Sequence, residues 1–78
     1  MDEKRLRQLR EIGLTIAYYR KLKGLTQADL ASRLGLSRTH ISNIEAPKAK
    51  TSVSLETLLD IAAVLEIPPQ NLFDFHNK

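Results

Sequence analysis

Three polar side chains in the segment from Gln27 to Ala46 have the chemistry needed to read nucleic-acid bases. An arginine suits a paired hydrogen bond with guanine, and an asparagine suits adenine. On a helix that begins at Ser37, Arg38 and Thr39 project from the N-terminal end, and Asn43 lies four residues after Thr39 on the same face. If this end entered a DNA major groove, each such contact would contribute about 1–3 kcal/mol of discrimination between bases.

Catalysis and metal binding lack comparable support. The two histidines, His40 and His76, lie 36 residues apart, and neither has a carboxylate four residues later. The chain has no cysteine, no glycine-rich phosphate loop and no HExxH motif. We therefore predict that the protein is not an enzyme and holds no metal ion or cofactor. No sequence feature indicates a small-molecule ligand.

Two short helices joined by a turn must position the polar side chains. Gly35 suits the left-handed conformation of such a turn, because a Cβ atom there would cost energy. Helices shorter than about 12 residues are marginal alone, so the rest of the chain must hold these two at a fixed angle. The pattern predicts a helix-turn-helix whose second helix is presented outward. Its apolar residues are Leu30, Ala31, Leu34, Leu36, Ile41 and Ile44.

The predicted fold class is all-α, with five helices in a single domain over residues 1–78. Residues 3–23 form the first helix, with Gly24 as its C-cap. Thr26 caps the second helix, with Asp29 as its capping-box partner, and Ser37 caps the third, which runs to about Glu45. A loop over 46–53 precedes a fourth helix, residues 55–66, capped by Ser54. Pro69 begins a short fifth helix through about Phe73.

Apolar spacing indicates which helix faces are buried. On the first helix, Leu9, Ile12, Ile16 and Tyr19 form one stripe, and Gly13 beside it predicts the close approach of another helix. The fourth helix has a wide apolar face with Ile61 at its edge. The residues of that face are Leu55, Leu58, Leu59, Ala62 and Leu65.

A second apolar row on the first helix comprises Leu14, Tyr18 and Leu22, spaced four residues apart. One helix of a small domain rarely buries two rows. The row is therefore either partly covered by neighbouring side chains or a contact surface for another protein.

Charge is distributed unevenly along the 78 residues, which have a net charge of +3. Residues 1–50 contain eleven Lys/Arg against five Asp/Glu, whereas residues 51–78 contain one against four. A polyanion would be attracted to the first part and repelled by the second. The alternative is a solvated charge pattern without a partner. The charged N-terminus, the absence of a long apolar run and the lack of cysteine predict a cytoplasmic protein without a membrane anchor.

The combination of these motifs resembles the phage repressor and Cro family of helix-turn-helix proteins, the XRE type, over roughly residues 12–67. The resemblance rests on GLTQADLA from Gly24, the turn at Gly35, the ISNIE sequence ending at Glu45 and the SLETLLDIAAVL helix from Ser54. It implies that the protein binds double-stranded DNA sequence-specifically and is a stand-alone transcriptional regulator. Repression is the expected effect on transcription.

The resemblance also implies roles for individual residues. The base-reading positions are Arg38, Thr39 and Asn43. The phosphate-contacting positions are Gln27, Ser37, His40, Lys48 and Lys50. An ion pair between Arg20 and Glu45 would tie the first helix to the end of the third. The chain departs from the family at Pro47, where many relatives have glycine. The alternative for Lys48 and Lys50 is therefore that they are solvated and contact no phosphate.

Small proteins of this type bind palindromic DNA as dimers on half-sites about 34–36 Å apart. The acidic C-terminal third supplies the expected homodimer surface, with Leu72, Phe73 and Phe75 as anchors. Alternatively, Leu72 and Phe73 cap the core of the monomer. Other open hypotheses are an antitoxin, a restriction–modification controller, or an adaptor that binds a protein partner through Leu14 and Tyr18.

Overall fold

The computed structural model describes residues 3–48 and 50–74. These residues form four α-helices followed by a 3-10 helix: α1 (Glu3–Leu22), α2 (Gln27–Leu34), α3 (Arg38–Glu45), α4 (Leu55–Leu65) and the 3-10 helix (Pro69–Phe73). The all-α class is confirmed, and no strand occurs in the described ranges. The predicted short fifth helix is a 3-10 helix of five residues, so the α-helices of the described ranges number four and not five. None of the described helices is long and apolar enough to cross a membrane.

Local capping residues determine where α2 begins and ends. The Thr26 hydroxyl accepts a hydrogen bond from the Asp29 backbone N–H at 2.9 Å, and the Asp29 carboxylate accepts one from the Thr26 N–H at 2.8 Å. The hydrogen bond from the Thr26 backbone N–H to the carboxylate lowers the pKa of Asp29 below its usual value. Gly35 has φ of +70° and donates its N–H to the last turn of α2. The capping box and the glycine turn are therefore confirmed.

Side chains from all five helices contribute to one core. Ile16, Leu30, Ile41 and Leu72 are completely buried. Gly13 lies where α1 crosses the end of α3, and a Cβ atom there would lie 2.6 Å from the Ile44 carbonyl oxygen and closer still to that of Glu45. The predicted close approach at Gly13 is therefore confirmed, and it brings α1 against the backbone of α3.

The buried face of α4 is rotated relative to the predicted one, although Leu58, Ala62 and Leu65 are buried as predicted. Leu55 and Leu59 are 67% and 46% exposed, whereas Ile61 is fully buried. The buried face comprises Leu58, Ile61, Ala62 and Leu65. This rotation follows from the position of α4, which packs on α2, α1 and the 3-10 helix at once. The predicted burial of Leu55 and Leu59 is thus wrong, and they remain on the surface.

Candidate nucleic-acid interface

The outer face of α3 is polar and accessible. Arg38, Thr39 and Asn43 are all exposed, whereas Ile41 and Ile44 on the opposite face are buried in the core. The helix begins directly after Ser37, so Arg38 and Thr39 occupy its first turn. The structure therefore leaves all three predicted base-reading residues accessible, with Thr39 and Asn43 four positions apart on one side of α3.

Ser37 and His40 lie beside this face. The Ser37 hydroxyl accepts a hydrogen bond from the His40 backbone N–H at 3.0 Å and caps α3. Both side chains are exposed. Ser37 therefore has a structural role as the cap, and its hydroxyl lies at the same end of α3 as Arg38.

The loop after α3 forms an open groove with it. Residues of α3 and of the loop, including the two loop lysines, line this groove. Its described lining residues are His40, Asn43, Lys48, Lys50, Thr51 and Ser52. Two reciprocal hydrogen bonds hold the loop: the Lys48 N–H donates to the Thr51 hydroxyl, and the Thr51 N–H donates to the Lys48 carbonyl oxygen, both at 2.9 Å. The loop thereby places positive charge next to the polar face of α3.

A buried ion pair fixes the other end of α3. Arg20 Nε donates to Glu45 Oε2 at 2.7 Å, and Arg20 Nη2 donates to Glu45 Oε1 at 3.0 Å. Arg20 Nη1 donates to the Leu25 carbonyl oxygen at 2.8 Å. The hydrogen bonds to Glu45 raise the pKa of Arg20 above its usual value. The pair joins α1, the loop before α2 and the end of α3.

Gln27 is a member of the same buried network. Its side-chain nitrogen Nε2 donates to Glu45 Oε1 at 3.0 Å, so one carboxylate oxygen accepts hydrogen bonds from both Arg20 and Gln27. Gln27 is the first residue of α2 and is half-buried. This contact could not be predicted from the sequence, because the partners lie eighteen positions apart and no spacing rule links them.

The residues predicted to form a dimer or partner interface divide into three groups. Leu72 is completely buried in the core, so its assignment as an interface anchor is wrong and its role is to cap the monomer. Phe73 is 50% exposed, and Phe75 lies outside the described residues. Leu14 and Tyr18 are 60% and 42% exposed, so neighbouring side chains leave that row largely uncovered.

Comparison with known proteins relates the chain to helix-turn-helix transcriptional regulators. The helix-turn-helix family model matches residues 16–72. The chain is 35% identical over 63 residues to the HTH-type transcriptional regulator SinR of Bacillus subtilis, and the match covers 81% of this chain and 56% of SinR. The chain therefore spans about half the length of this relative.

Solved structures show the same arrangement of helices. The restriction–modification controller protein C.AhdI from Aeromonas hydrophila superposes with a TM-score of 0.74 at 35% identity, covering 83% of this chain and 96% of that one. The biofilm master regulator SinR, in its complex with DNA, superposes with a TM-score of 0.72 at 35% identity, covering 81% and 98% of the two chains.

Proposed function

The chain belongs to the XRE-type helix-turn-helix family, and from this premise we propose that it is a sequence-specific DNA-binding transcriptional regulator. The observation that supports this most directly is the two-sided character of α3, whose polar face is free while its apolar face is buried. An adaptor that does not bind DNA would have no need of a free set of Arg38, Thr39 and Asn43. In this proposal the N-terminal end of α3 enters the major groove.

Base reading is assigned to Arg38, Thr39 and Asn43 because all three are exposed on α3 and two of them lie in its first turn. The Arg38 guanidinium suits guanine and the Asn43 amide suits adenine. Phosphate contacts are assigned to five residues around this face: Gln27, Ser37, His40, Lys48 and Lys50. These contacts set the orientation of the protein on the duplex and carry no sequence information.

We further propose that the protein binds a palindromic operator as a homodimer. Leu55 and Leu59 on α4 and Phe73 are exposed apolar residues in the acidic part of the chain, which DNA would repel. The longest dimension of the described structure is 32 Å, close to the 34–36 Å between half-sites one helical turn apart. Two copies side by side on one face of a duplex therefore fit that spacing. Occupation of the operator would repress transcription.

Selection of bound sequences from a random DNA pool tests the proposal. A palindromic consensus with half-sites one turn apart is the expected result. Titration of the selected site at several salt concentrations tests the docking model, because about eight phosphate contacts predict a slope near −7 in log K against log salt. If no sequence is enriched from the pool, or if the affinity does not change with salt concentration, groove docking is contradicted.

Control of restriction–modification genes is the second candidate, and it would use the same DNA-binding surface. It is favoured by the similarity to C.AhdI, which extends over 96% of that chain. The exposed row that includes Leu14 and Tyr18 favours a protein partner instead, as in an antitoxin or an adaptor. Binding of the protein to its selected operator upstream of a restriction gene would support the controller. Loss of DNA binding when a partner protein covers the exposed row would support the antitoxin.

A further inference from the structure

The Glu45 carboxylate accepts three hydrogen bonds from two side chains on different helices. Its Oε2 atom accepts from Arg20 Nε, and its Oε1 atom accepts from Arg20 Nη2 and from Gln27 Nε2, the last two at 3.0 Å. The side chains of Arg20 and Glu45 are 9% and 6% exposed. Gln27 is half-buried at the start of α2, so it extends from this network toward the surface.

The chemistry of the carboxylate determines how the Gln27 amide is turned. An ionised carboxylate only accepts hydrogen bonds, so the amide nitrogen of Gln27, and not its oxygen, must face Glu45. That nitrogen carries two hydrogens. One donates to Glu45, and the other remains as a donor for a further acceptor.

The charge of the network is suited to an anionic acceptor. A carboxylate alone beside Gln27 would repel a phosphate. Here the guanidinium of Arg20 donates to both oxygens of Glu45 and neutralises its charge inside the protein. A phosphate oxygen can therefore approach the second hydrogen of the Gln27 amide without meeting a free negative charge.

We propose that Glu45 is a positioning residue for DNA recognition, which holds the Gln27 amide so that its second hydrogen donates to one backbone phosphate of each half-site. The proposal rests on the proposed function. Glu45 is also the last residue of α3, so a single carboxylate relates the phosphate contact of α2 to the helix that reads bases. Glu45 itself does not touch DNA.

Operators in which one phosphate at a time is replaced by an uncharged methylphosphonate test this assignment. Wild-type protein should lose about tenfold in affinity at one phosphate per half-site, the loss expected for a hydrogen bond to a charged group. Gln27→Met should bind the unmodified operator about tenfold more weakly and no longer respond to that phosphate. Glu45→Gln should lose the response at the same phosphate. The double variant with Gln27→Met should bind the operator no more weakly than Gln27→Met alone. The exposed α2 variant Ser32→Ala should behave as wild type.

A second measurement uses only the wild-type protein, because Glu45→Gln leaves Arg20 poorly paired and can fail to fold. In NMR spectra, one of the two Gln27 amide hydrogens should be protected from solvent exchange in the free protein, and the other only in the DNA complex. Two unprotected hydrogens in the free protein, or an unchanged second hydrogen in the complex, would overturn the proposal. A folded Glu45→Gln variant with the wild-type phosphate response would also overturn it. Wild-type protein that selects no DNA overturns the proposed function as well, which separates the two failures.

Discussion

Gly13→Ala is the substitution whose effect the structure specifies most closely. The added methyl group would lie 2.6 Å from the Ile44 carbonyl oxygen and closer still to the Glu45 carbonyl oxygen. Both neighbours are backbone atoms at the end of α3, so no side-chain rotation relieves the overlap. Heavy atoms pack best at about 3.5 Å, which requires α1 and α3 to separate by roughly 1 Å.

Two opposing effects set the magnitude for Gly13→Ala. Overpacking in a core costs about 1–3 kcal/mol, and the upper part of this range applies because the overlap is with backbone. Alanine in a helix interior gains about 1 kcal/mol over glycine, because the unfolded chain loses less freedom. The net expectation is a decrease of about 1–2 kcal/mol in the free energy of unfolding. For a domain of this size that corresponds to a melting temperature lower by roughly 5–15 °C.

Urea unfolding and operator titration measure both consequences of Gly13→Ala. Gln8→Ala on the exposed side of α1 is the matched control, and its stability should stay within about 0.5 kcal/mol of wild type. Operator affinity should fall for Gly13→Ala even where the protein is fully folded, because α3 is displaced. An equally stable or more stable Gly13→Ala protein would show that helix propensity outweighs the contact, and the argument for close packing of α1 on α3 would fail.

Three further expectations concern DNA binding, acid stability and assembly. Arg38→Ala should weaken binding to the selected operator by about 1–3 kcal/mol and binding to random DNA far less. In the same titration, Lys48→Ala should weaken binding to both DNAs alike. The lowered pKa of Asp29 means that its capping contribution is present above the usual Asp pKa of about 3.9 and is lost as pH falls through the lower folded-state pKa. Unfolding curves between pH 7 and pH 2 should therefore decline less steeply for Asp29→Asn than for wild type. Leu59→Glu should leave the monomer folded but reduce dimerisation in sedimentation experiments, and an equal effect of Leu14→Glu would place the interface on α1 instead.

Helix boundaries could be predicted because their signals are local. Thr26, Ser37 and Ser54 each accept a hydrogen bond from a backbone N–H three residues later, and Gly35 takes the left-handed conformation that ends α2. Such signals depend on the types of adjacent residues and need no knowledge of tertiary structure. At the end of α4 the prediction is one residue too long, because Glu66 takes a left-handed conformation with φ of +59°.

The orientation of α4 could not be predicted from its own sequence. Eight apolar residues, including Ala63 and Val64, cover more than half of its circumference, and the period alone does not say which edge meets the core. The answer depends on where α2, α1 and the 3-10 helix lie. Packing against all three buries Ile61 and leaves Leu59 exposed, and the same packing places Leu72 inside the core.

In the candidate site too, some features follow from local sequence and others depend on packing between helices. The exposure of Arg38 and Asn43 follows from their spacing relative to Ile41 and Ile44 on one short helix. The hydrogen bond between Gln27 and Glu45 does not, because it depends on the angle at which α2 and α3 meet. The sequence predicts the exposed face of the short helix α3, whereas the buried face of α4 and the contacts between helices depend on the assembled fold.

The buried ion pair of Arg20 and Glu45 is better explained by geometry than by stability. Desolvation of two charges offsets most of their attraction, and replacing such a pair by apolar residues is often neutral or stabilising, although removing one partner costs about 3–5 kcal/mol. An apolar pair would hold α1 against α3 equally well, but it offers no acceptor for Gln27. Glu45 lies seven positions after Arg38 in α3, a distance of about 10 Å along the helix axis. The orientation of the proposed phosphate donor therefore depends on a buried carboxylate at the end of α3 opposite the base-reading turn.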